Sequence, residues 1–288
     1  MQKSNPKRKI FPAQPQNRPG LEYKMKPEPV YDNAAAGSGK LLNKKCVITG
    51  GDSGIGKAVA IAFAKEGADV AIIYLSEDKD AEATATIIRE QYQRECLLVP
   101  ADISREAQCK NAAKKIIRKF KTVDVVVNNA GVHYPAESIM EIESDKLVKT
   151  FSVNVFAIFW LVKALLPVMK EGGSIINTAS VTAYRGSANL LDYSATKGAI
   201  VSLTRSLSAS LAGKGIRVNG VAPGPIWTPL IPSSFEPDKV KSFGTETPMK
   251  RPGQPVEVAP SYVFLASGDS AYITGQFLHP NGGEIVNG

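Results

Sequence analysis

The sequence predicts an α/β fold in which helices flank a doubly wound parallel sheet, built as a single domain. From residue 41 onward, short apolar runs rich in β-branched residues alternate with helical stretches, a pattern that produces βαβ units and a parallel sheet. The runs are apolar at successive positions, as expected for strands covered by helices on both faces. The 288 residues suffice for one large domain of this kind, and no internal repeat indicates a second.

The predicted elements alternate along the chain. Strands are expected at 45–49, 70–75, 96–100, 123–128, 174–178, 217–222 and 276–279. Helices are expected at 54–66, 78–93, 104–120, 144–170, 193–212 and 255–266. Residues at the boundaries agree with this division: Gly67 can end the first helix and Ser104 can cap the third. The pair Gly172 and Gly173 can end the long fourth helix.

Residues 1–40 differ in composition from the rest of the chain. They contain six prolines, eight basic and three acidic residues, and no helical or alternating period. The segment is therefore predicted to be a basic arm that precedes a domain of residues 41–288. A solvated arm is favoured, and an arm laid over a partner subunit is the alternative.

Composition and charge exclude several functional classes. The net charge is +8, but most of the excess lies in the arm, and no basic stripe with aromatic residues indicates nucleic-acid binding. The three cysteines form no CxxC pair and the two histidines, His133 and His279, are far apart, so we expect no disulfide framework and no metal site. No run approaches 18 apolar residues and the N-terminus lacks a secretory signal. We therefore expect no membrane span and a cytoplasmic location.

A glycine-rich loop joins the first strand to the first helix. It runs from Thr49 to Gly56 and reads TGGDSGIG. Glycines permit a tight turn and let the backbone approach a pyrophosphate, which the helix N-terminus attracts. Because the loop lies between a strand and a helix, it predicts a dinucleotide site on a Rossmann-type fold. The alternative is a glycine-rich turn that binds no ligand.

Further motifs follow in order along the chain. They are Asn128-Asn129-Ala130-Gly131 after the fourth strand, Asn154 in the long helix, Ser180 after the fifth strand, Tyr193 to Lys197 (YSATK) and Pro223-Gly224 after the sixth strand. Together with the loop, over about residues 41–288, they resemble the short-chain dehydrogenase/reductase family. The proline-rich arm and the ending from Gly282 to Gly288 resemble a subgroup described as general aldehyde reductases or glucose and ribitol dehydrogenase-like proteins.

The resemblance implies a catalytic set of Asn154, Ser180, Tyr193 and Lys197. Carbonyl reduction needs a hydride from a nicotinamide and a proton for the oxygen. Lys197 lies one helical turn after Tyr193, and a nearby cation would lower the pKa of a tyrosine, ordinarily about 10, toward neutrality. The resemblance further implies that Lys197 binds the nicotinamide ribose and that Ser180 orients the substrate oxygen. It also implies that the backbone carbonyl of Asn154 holds a water molecule of a proton relay.

The resemblance also implies NAD or NADP as cofactor. The residues expected to contact it are Gly50, Ser53, Gly54, Ile55, Gly56, Tyr74, Asp102, Ile103, Asn128, Ala130, Gly131, Tyr193, Lys197, Pro223, Gly224, Ile226 and Thr228. A carboxylate at the end of the second strand would repel a 2′-phosphate and select NAD. That position holds Tyr74, and no carboxylate follows before Glu77. The sequence therefore slightly favours NADP, and use of both cofactors stays open.

The expected substrate is a small carbonyl compound or alcohol. Residues 223–255 form a long proline-, glycine- and serine-rich segment, which indicates a lid. His133 is expected near the substrate with Ser180 and Tyr193, and Tyr184 is a further candidate. The predicted function is NAD(P)-dependent reduction of aldehydes or ketones, or oxidation of the matching alcohols. The alternatives are a sugar or polyol dehydrogenase and a catalytically silent dinucleotide-binding sensor or scaffold. The resemblance implies a homotetramer.

Overall fold

The structure, a computed structural model, describes residues 11–286. Residues 1–10 of the predicted arm, and residues 287 and 288 of the C-terminal motif, lie outside the described residues.

A seven-stranded parallel sheet lies at the centre of the molecule. Its strands are β1 (Lys45–Thr49), β2 (Asp69–Tyr74), β3 (Cys96–Pro100), β4 (Val123–Asn128), β5 (Met169–Thr178), β6 (Arg217–Val221) and β7 (Phe277–Leu278). Their spatial order is β3-β2-β1-β4-β5-β6-β7. The direction of winding reverses between β1 and β4, and in such sheets the crevice outside the carboxyl ends of the strands binds ligands at this point. The predicted doubly wound, single-domain α/β fold is confirmed.

Helices cover both faces of the sheet. They are α1 (Gly54–Lys65), α2 (Asp78–Tyr92), α3 (Glu106–Phe120), α4 (Ser144–Phe151), α5 (Ala157–Leu165), α6 (Thr182–Arg185), α7 (Leu191–Leu211), α8 (Pro237–Lys241) and α9 (Pro255–Ala266). One apolar cluster joins α3, α5 and α7 to one face, and another joins α1, α2 and α9 to the other. Successive strand residues therefore face different helix layers: Val47 packs into the first cluster and Ile48 into the second. This arrangement explains why the strands are continuously apolar.

The long helix predicted at 144–170 is interrupted. A π-helical turn, Ser152–Phe156, separates α4 from α5, and a 3₁₀ turn that contains Pro167 ends the run at Val168. Strand β5 then begins at Met169, five residues before the predicted start, and its pairing with β4 is irregular between Val123 and Val125. The expectation that Gly172 and Gly173 end a helix was therefore wrong, because the helical run stops at the preceding proline turn.

The start of α3 also differs from the prediction. Ser104 does not cap this helix: its backbone N–H and its hydroxyl donate to the Asp102 carboxylate, at 3.0 and 2.6 Å. Arg105 takes the N-cap position without a side-chain cap. Asp102 therefore organises the turn after β3, at the edge of the crevice.

The helical run 144–168 is apolar enough and long enough to cross a membrane by length and composition. Half of its most apolar window is buried within the protein. Leu161 and Leu165 pack into the core beside the sheet, whereas Val148, Phe156 and Phe159 are exposed on the opposite side. The run is thus a layer of the α/β fold with an apolar outer face.

Residues 11–40 lie against the body of their own subunit, where a solvated arm was favoured. The ring of Phe11 stacks on Trp227 with centroids 3.9 Å apart, and Met25 is 2% exposed. These residues form a third apolar cluster with Ile231 and Val240 of the 223–255 segment. The apolar residues of the arm, such as Phe11 and Met25, leave room for docking. Local composition does not identify the surface that they contact, because these contacts join residues about 200 positions apart.

Candidate active site

A crevice of about 460 Å³ opens at the carboxyl ends of the strands, at the point where the winding reverses. Loops that follow β1, β2, β3 and β4 form its floor. Two catalytic candidates on α7, Tyr193 and Lys197, lie at one end. The start of the 223–255 segment and residues 18–20 of the arm form the opposite wall. The fold thus brings together segments that are distant in sequence.

The glycine-rich loop packs so closely that side chains would not fit at several of its positions. Gly50 has φ +64°, and a Cβ there would lie 3.1 Å from the Ala130 Cα. A Cβ on Gly56 would lie 1.9 Å from the Gly50 carbonyl oxygen. The first turn of α1 points into the crevice, and the Ile55 N–H has no protein acceptor within residues 11–286. This backbone cradle fits an anionic diphosphate.

Tyr193 and Lys197 line the crevice, whereas the buried Ser180 lies beside Tyr193 without lining it. The Lys197 Nζ is 5.3 Å from the Tyr193 ring centroid and donates to the Thr178 carbonyl oxygen at 2.7 Å. The Ser180 side chain lies close enough to Tyr193 to lower the pKa of its phenol. It also accepts from the backbone N–H of Thr182, at 3.2 Å, as α6 begins. Tyr193 therefore has both an ammonium group and a hydroxyl group close to its ring.

Asn154 lies within the π-helical turn and is 1% exposed. Its side chain accepts from the Val132 N–H and donates to the Val132 carbonyl, both at 2.9 Å, and donates to the Thr196 hydroxyl at 3.0 Å. A Cβ on Gly131 would lie 3.4 Å from the Asn154 Oδ1 and 3.6 Å from the Lys197 Nζ. Asn154 thus ties the loop after β4 to α7, directly behind Lys197.

Burial controls the charge of both groups on α7. It raises the pKa of Tyr193 to about 12, against the opposing effect of the nearby Ser180 side chain. It lowers the pKa of Lys197 to about 7. The expectation that Lys197 lowers the tyrosine pKa does not hold for the protein alone, because desolvation penalises phenolate and ammonium alike. The phenol is therefore protonated at neutral pH, which is the form that can donate a proton.

His133 is buried beside Tyr193, with the two rings edge to face and their centroids 5.3 Å apart. Burial and the nearby Arg18 lower the pKa of its imidazole to about 3, against a hydrogen bond with the Leu230 backbone. Its Nε2 has no partner among the described residues. The structure thus places a neutral imidazole next to the tyrosine. Tyr184, the other candidate, lies in a separate cavity with Arg205 and His279.

Most residues expected to contact a cofactor line the crevice. These are Gly50, Ser53, Gly54, Ile55, Tyr74, Asp102, Ile103, Ala130, Gly131, Tyr193, Lys197 and Thr228. Five others do not: Gly56, Asn128, Pro223, Gly224 and Ile226.

Each of these five has a different position in the structure. Asn128 donates to the Asn177 side chain at 2.8 Å, and its neighbour Asn129 lines the crevice instead. Gly56 packs against Gly50, and a Cβ on Gly224 would lie 2.8 Å from the Asn281 backbone. The carbonyl of Pro223 accepts from the Val181 N–H at 3.1 Å, and Ile226 forms a β-bridge with Gly253. These residues support the walls of the crevice from behind.

Two carboxylates line the crevice near the end of β2, where sequence reasoning expected none. Asp52 and Glu77 are 6% and 8% exposed, and the Glu77 carboxylate accepts from the Ser76 N–H at 2.7 Å. Burial, followed by the charge of Glu77, raises the pKa of Asp52 to about 7. Glu77 is three residues beyond the end of β2 in the sequence and was therefore expected to lie outside the site. The turn that leads into α2 places it at the crevice. Arg18, Pro19 and Gly20 were missed because only long-range docking places them here.

The chain matches known proteins over most of its length. Residues 50–284 match the family model described as Enoyl-(Acyl carrier protein) reductase. The NADPH-dependent aldehyde reductase 1, chloroplastic, of Arabidopsis thaliana is 52% identical, over 94% of this chain and 96% of that protein. The glucose and ribitol dehydrogenase of Daucus carota is 50% identical, over 96% and 98%. A solved short-chain dehydrogenase/reductase of Brucella melitensis, described as a glucose/ribitol dehydrogenase, has a TM-score of 0.77 at 36% identity, over 85% of this chain and 97% of that one. With the fold and the crevice described above, these matches show that the chain belongs to the short-chain dehydrogenase/reductase family of oxidoreductases.

Proposed function

We propose that this oxidoreductase uses a nicotinamide cofactor to reduce aldehydes or ketones, or to oxidise the matching alcohols, with Tyr193 as the acid and base. One observation carries the proposal. The Tyr193 side chain lies beside Ser180, is one helical turn from Lys197 and lines a crevice that also contains the glycine cradle. The substrate class agrees with the name of the 52% identical aldehyde reductase.

The crevice residues fit NAD(P)H. Gly50, Ser53 and Ile55 would hold the diphosphate beside Gly54, whose N–H donates to the Glu22 carboxylate at 2.7 Å. Asp102 with Ile103 would contact the adenine. When bound, the nicotinamide supplies or accepts the hydride. NADP is slightly favoured, as the relative described as NADPH-dependent suggests. Asp52 and Glu77 could accept a hydrogen bond from a ribose 2′-hydroxyl. We therefore propose that the protein can use NAD as well as NADP.

Each polar group beside the crevice has a role in this proposal. Tyr193 donates its proton to the carbonyl oxygen during reduction and removes it during oxidation. The Ser180 hydroxyl donates to the same oxygen as negative charge develops on it, an interaction typically worth ~10²–10³ in rate. Lys197 holds the nicotinamide ribose. The backbone carbonyl of Asn154, just behind Lys197, holds the water that links the lysine to solvent.

Replacing single tyrosines tests the assignment. We expect Tyr193→Phe to lower kcat for an aldehyde by ~10²–10⁴, because the general acid is lost, and to leave the Kd for NADPH within about twofold. Absorbance at 340 nm follows the rate, and fluorescence titration gives the Kd. Tyr184→Phe is the matched control, since Tyr184 lies in another cavity, and it should keep the wild-type rate. A fast Tyr193→Phe variant would remove Tyr193 from its role.

The second candidate is a sugar or polyol dehydrogenase, which the 50% identical relative named glucose and ribitol dehydrogenase favours. Two measurements of kcat/KM distinguish the candidates: one for simple aldehydes with NADPH, and one for glucose or ribitol with NAD or NADP. We expect the aldehydes to have the higher values. Turnover of none of these compounds, together with tight cofactor binding, would instead indicate the catalytically silent sensor or scaffold.

We further propose that the protein is a homotetramer with a cytoplasmic location and with no nucleic-acid or membrane partner. The exposed apolar side chains of Phe156 and Phe159 on the outer face of α5, and of Val148 on α4, support association between subunits. The three cysteines are buried and free, which suits a reducing compartment.

The proposed division of the chain is an arm of residues 1–40 followed by an oxidoreductase domain of residues 41–288. The 223–255 segment is its lid, because Thr228, Pro229, Leu230 and Ser233 border the crevice.

A further inference from the structure

The arm places Arg18 at the mouth of the crevice, on the side of Tyr193. Its guanidinium donates to the His133 carbonyl and lies 4.2 Å from the Tyr134 ring centroid. The ring of His133 in turn lies edge to face against the Tyr193 ring, with the centroids 5.3 Å apart. Arg18 and Tyr193 both line the crevice. The guanidinium therefore lies beside the part of the crevice in which the carbonyl group of a substrate would react.

Contacts on both sides of Arg18 hold the arm in register. Before it, the backbone N–H of Gln16 donates to the Pro232 carbonyl of the proposed lid, at 2.8 Å. After it, the buried Glu22 carboxylate accepts from the Gly54 N–H at the start of α1, at 2.7 Å. The position of Arg18 is therefore set by anchors to the lid and to α1, and does not depend on its own side chain alone.

The charged groups that line the crevice are distributed unevenly. Among the lining residues that the structure describes, the carboxylates are Asp52, Glu77 and Asp102, which follow β1, β2 and β3. Arg18 lies instead against the loop after β4, and no carboxylate within residues 11–286 pairs with it. An anionic group in the crevice is therefore attracted to the Tyr193 side, away from the loops after the first three strands.

The other two cations that line the crevice are less available to an anionic substrate. Lys149 pairs with Asp102 at 3.2 Å. Burial lowers the pKa of Lys197 to about 7, and this lysine is already proposed to hold the nicotinamide ribose. Arg18 keeps its charge, because a guanidinium stays protonated in proteins. In the described part of the chain its N–H groups have one acceptor, the His133 carbonyl, so other donors are free.

We propose that Arg18 is a specificity-determining residue that binds a carboxylate on the substrate, so that the protein favours small aldehydes or ketones bearing a carboxylate over neutral ones. This inference rests on the proposed reduction of carbonyl compounds and names their chemical class. A guanidinium presents five N–H donors in a planar fork, which matches the two oxygens of a carboxylate. The Tyr134 ring fixes the plane of this fork. A substrate held at Arg18 by its carboxylate would extend its carbonyl group toward Tyr193.

Matched pairs of carboxylate and amide substrates test this role in the full-length protein. Succinic semialdehyde and para-carboxybenzaldehyde, which differ in spacer length, are each compared with the neutral amide of the same shape, with NADPH as cofactor. For at least one spacer length, we expect the wild type to have a kcat/KM ~10-fold or more higher for the carboxylate, because a charge-assisted hydrogen bond is made. This preference should weaken as the NaCl concentration rises, since Arg18 is exposed to solvent.

Substitutions on the arm isolate the guanidinium. Arg18→Gln should remove the preference, mainly by raising KM for the carboxylate substrates. Arg18→Lys should recover part of it, because a lysine supplies the charge without the fork. Lys24→Gln, an exposed charge change on the same arm, should keep the wild-type preference. Isothermal titration with para-methylbenzoate and para-methylbenzamide, which are unreactive, should give the same pattern in Kd without turnover.

Three results separate the possible failures. A wild-type protein that turns over no carbonyl compound would overturn the proposed function itself. Equal kcat/KM for carboxylates and amides in the wild type, or a preference that persists in Arg18→Gln, would overturn the role of Arg18 alone. Equal losses for both kinds of substrate in Arg18→Gln, together with a lower melting temperature, would show that Arg18 only anchors the arm to the loop after β4, which also contradicts the proposal.

Discussion

At the residue scale, the site depends on polar side chains held in low-dielectric surroundings. Lys197 and His133 are buried and Tyr193 is half-buried, and the pKa of each is displaced so that its neutral form is favoured. The motif spacing predicted that Tyr193 and Lys197 share a helix face, and the two side chains are indeed adjacent on α7. Spacing along the chain contains no information about desolvation, so the direction of the tyrosine pKa shift required the structure.

His133 gives a prediction for stability as a function of pH. The unfolded chain binds a proton at His133 near pH 6.5, whereas burial lowers the folded pKa to about 3. Below pH 6.5 the unfolded state therefore binds more protons, and stability falls by up to ~1.4 kcal/mol per pH unit toward pH 3. Asp52, whose pKa is raised to about 7, has the opposite effect between about pH 7 and 4.

The contribution of His133 is isolated by comparing how the free energy of unfolding depends on pH in His133→Phe and in the wild type. We expect His133→Phe to lose less stability than the wild type on acidification from pH 6.5 to 4.5, as measured by urea denaturation at each pH. Parallel curves for the two proteins would show that His133 titrates alike when folded and unfolded.

Asn154 gives a second prediction at this scale. Its side chain satisfies both the N–H and the carbonyl of Val132. Asn154→Ala would leave these buried groups unpaired, which costs ~1–3 kcal/mol of unfolding free energy. We expect a lower midpoint of urea denaturation and reduced turnover, because the loop behind Lys197 is released. A variant with wild-type stability would mean that water replaces the amide.

At the scale of elements, sequence patterns predicted the strands and helices well where an element is decided locally. Strand β4, for example, has the predicted bounds of 123–128. Local patterns failed where distant contacts or backbone hydrogen bonding decide the outcome. The π-helical turn at Asn154 has no compositional signature. Strand β5 begins early because the helical run ends at the proline turn, which places Met169 beside Val123 of β4. The docking of the arm depends on Trp227 and Lys57, neither of which is near it in sequence.

The buried pair of Glu22 and Lys57 predicts how strongly the arm supports the fold. The two side chains are 2.6 Å apart and almost fully buried. Glu22→Ala would leave the Lys57 ammonium without its partner, and breaking a buried pair in this way typically costs ~3–5 kcal/mol. We expect a marked loss of stability in urea denaturation.

Replacing both members of the pair provides the control. The double variant Glu22→Met with Lys57→Met removes both buried charges, and it should be more stable than Glu22→Ala. Equal stability of Glu22→Ala and the wild type would show that the arm is undocked in solution.

At the scale of the whole molecule, the sheet order places the glycine-rich loop, Asp102, the loop after β4 and Tyr193 around one crevice. The sequence predicted this arrangement because strands of a doubly wound sheet end on the same side. It could not predict which of the matching motif residues face the crevice. Asn128 and Asn129 are adjacent in sequence, yet only Asn129 lines it, since successive residues at a strand end point in different directions.

The apolar outer face of α5 predicts the state of assembly. Phe159 is 52% exposed on this face. We expect Phe159→Glu to shift the protein from a tetramer to smaller species in light scattering, because it places a charge in an apolar contact between subunits. Met140→Glu, at an exposed position away from α5, should leave the mass unchanged. A monomeric wild-type protein would contradict the proposed tetramer.

The transfer of isotope from labelled cofactor tests the central claim most directly. NADPH bearing deuterium at the transferable position of C4 is incubated with the protein and an aldehyde, and the product alcohol is analysed by mass spectrometry. The account predicts an alcohol that contains one deuterium, formed rapidly by the wild type and by Tyr184→Phe but only very slowly by Tyr193→Phe. Unlabelled alcohol, or labelled alcohol formed by Tyr193→Phe at the wild-type rate, would contradict it.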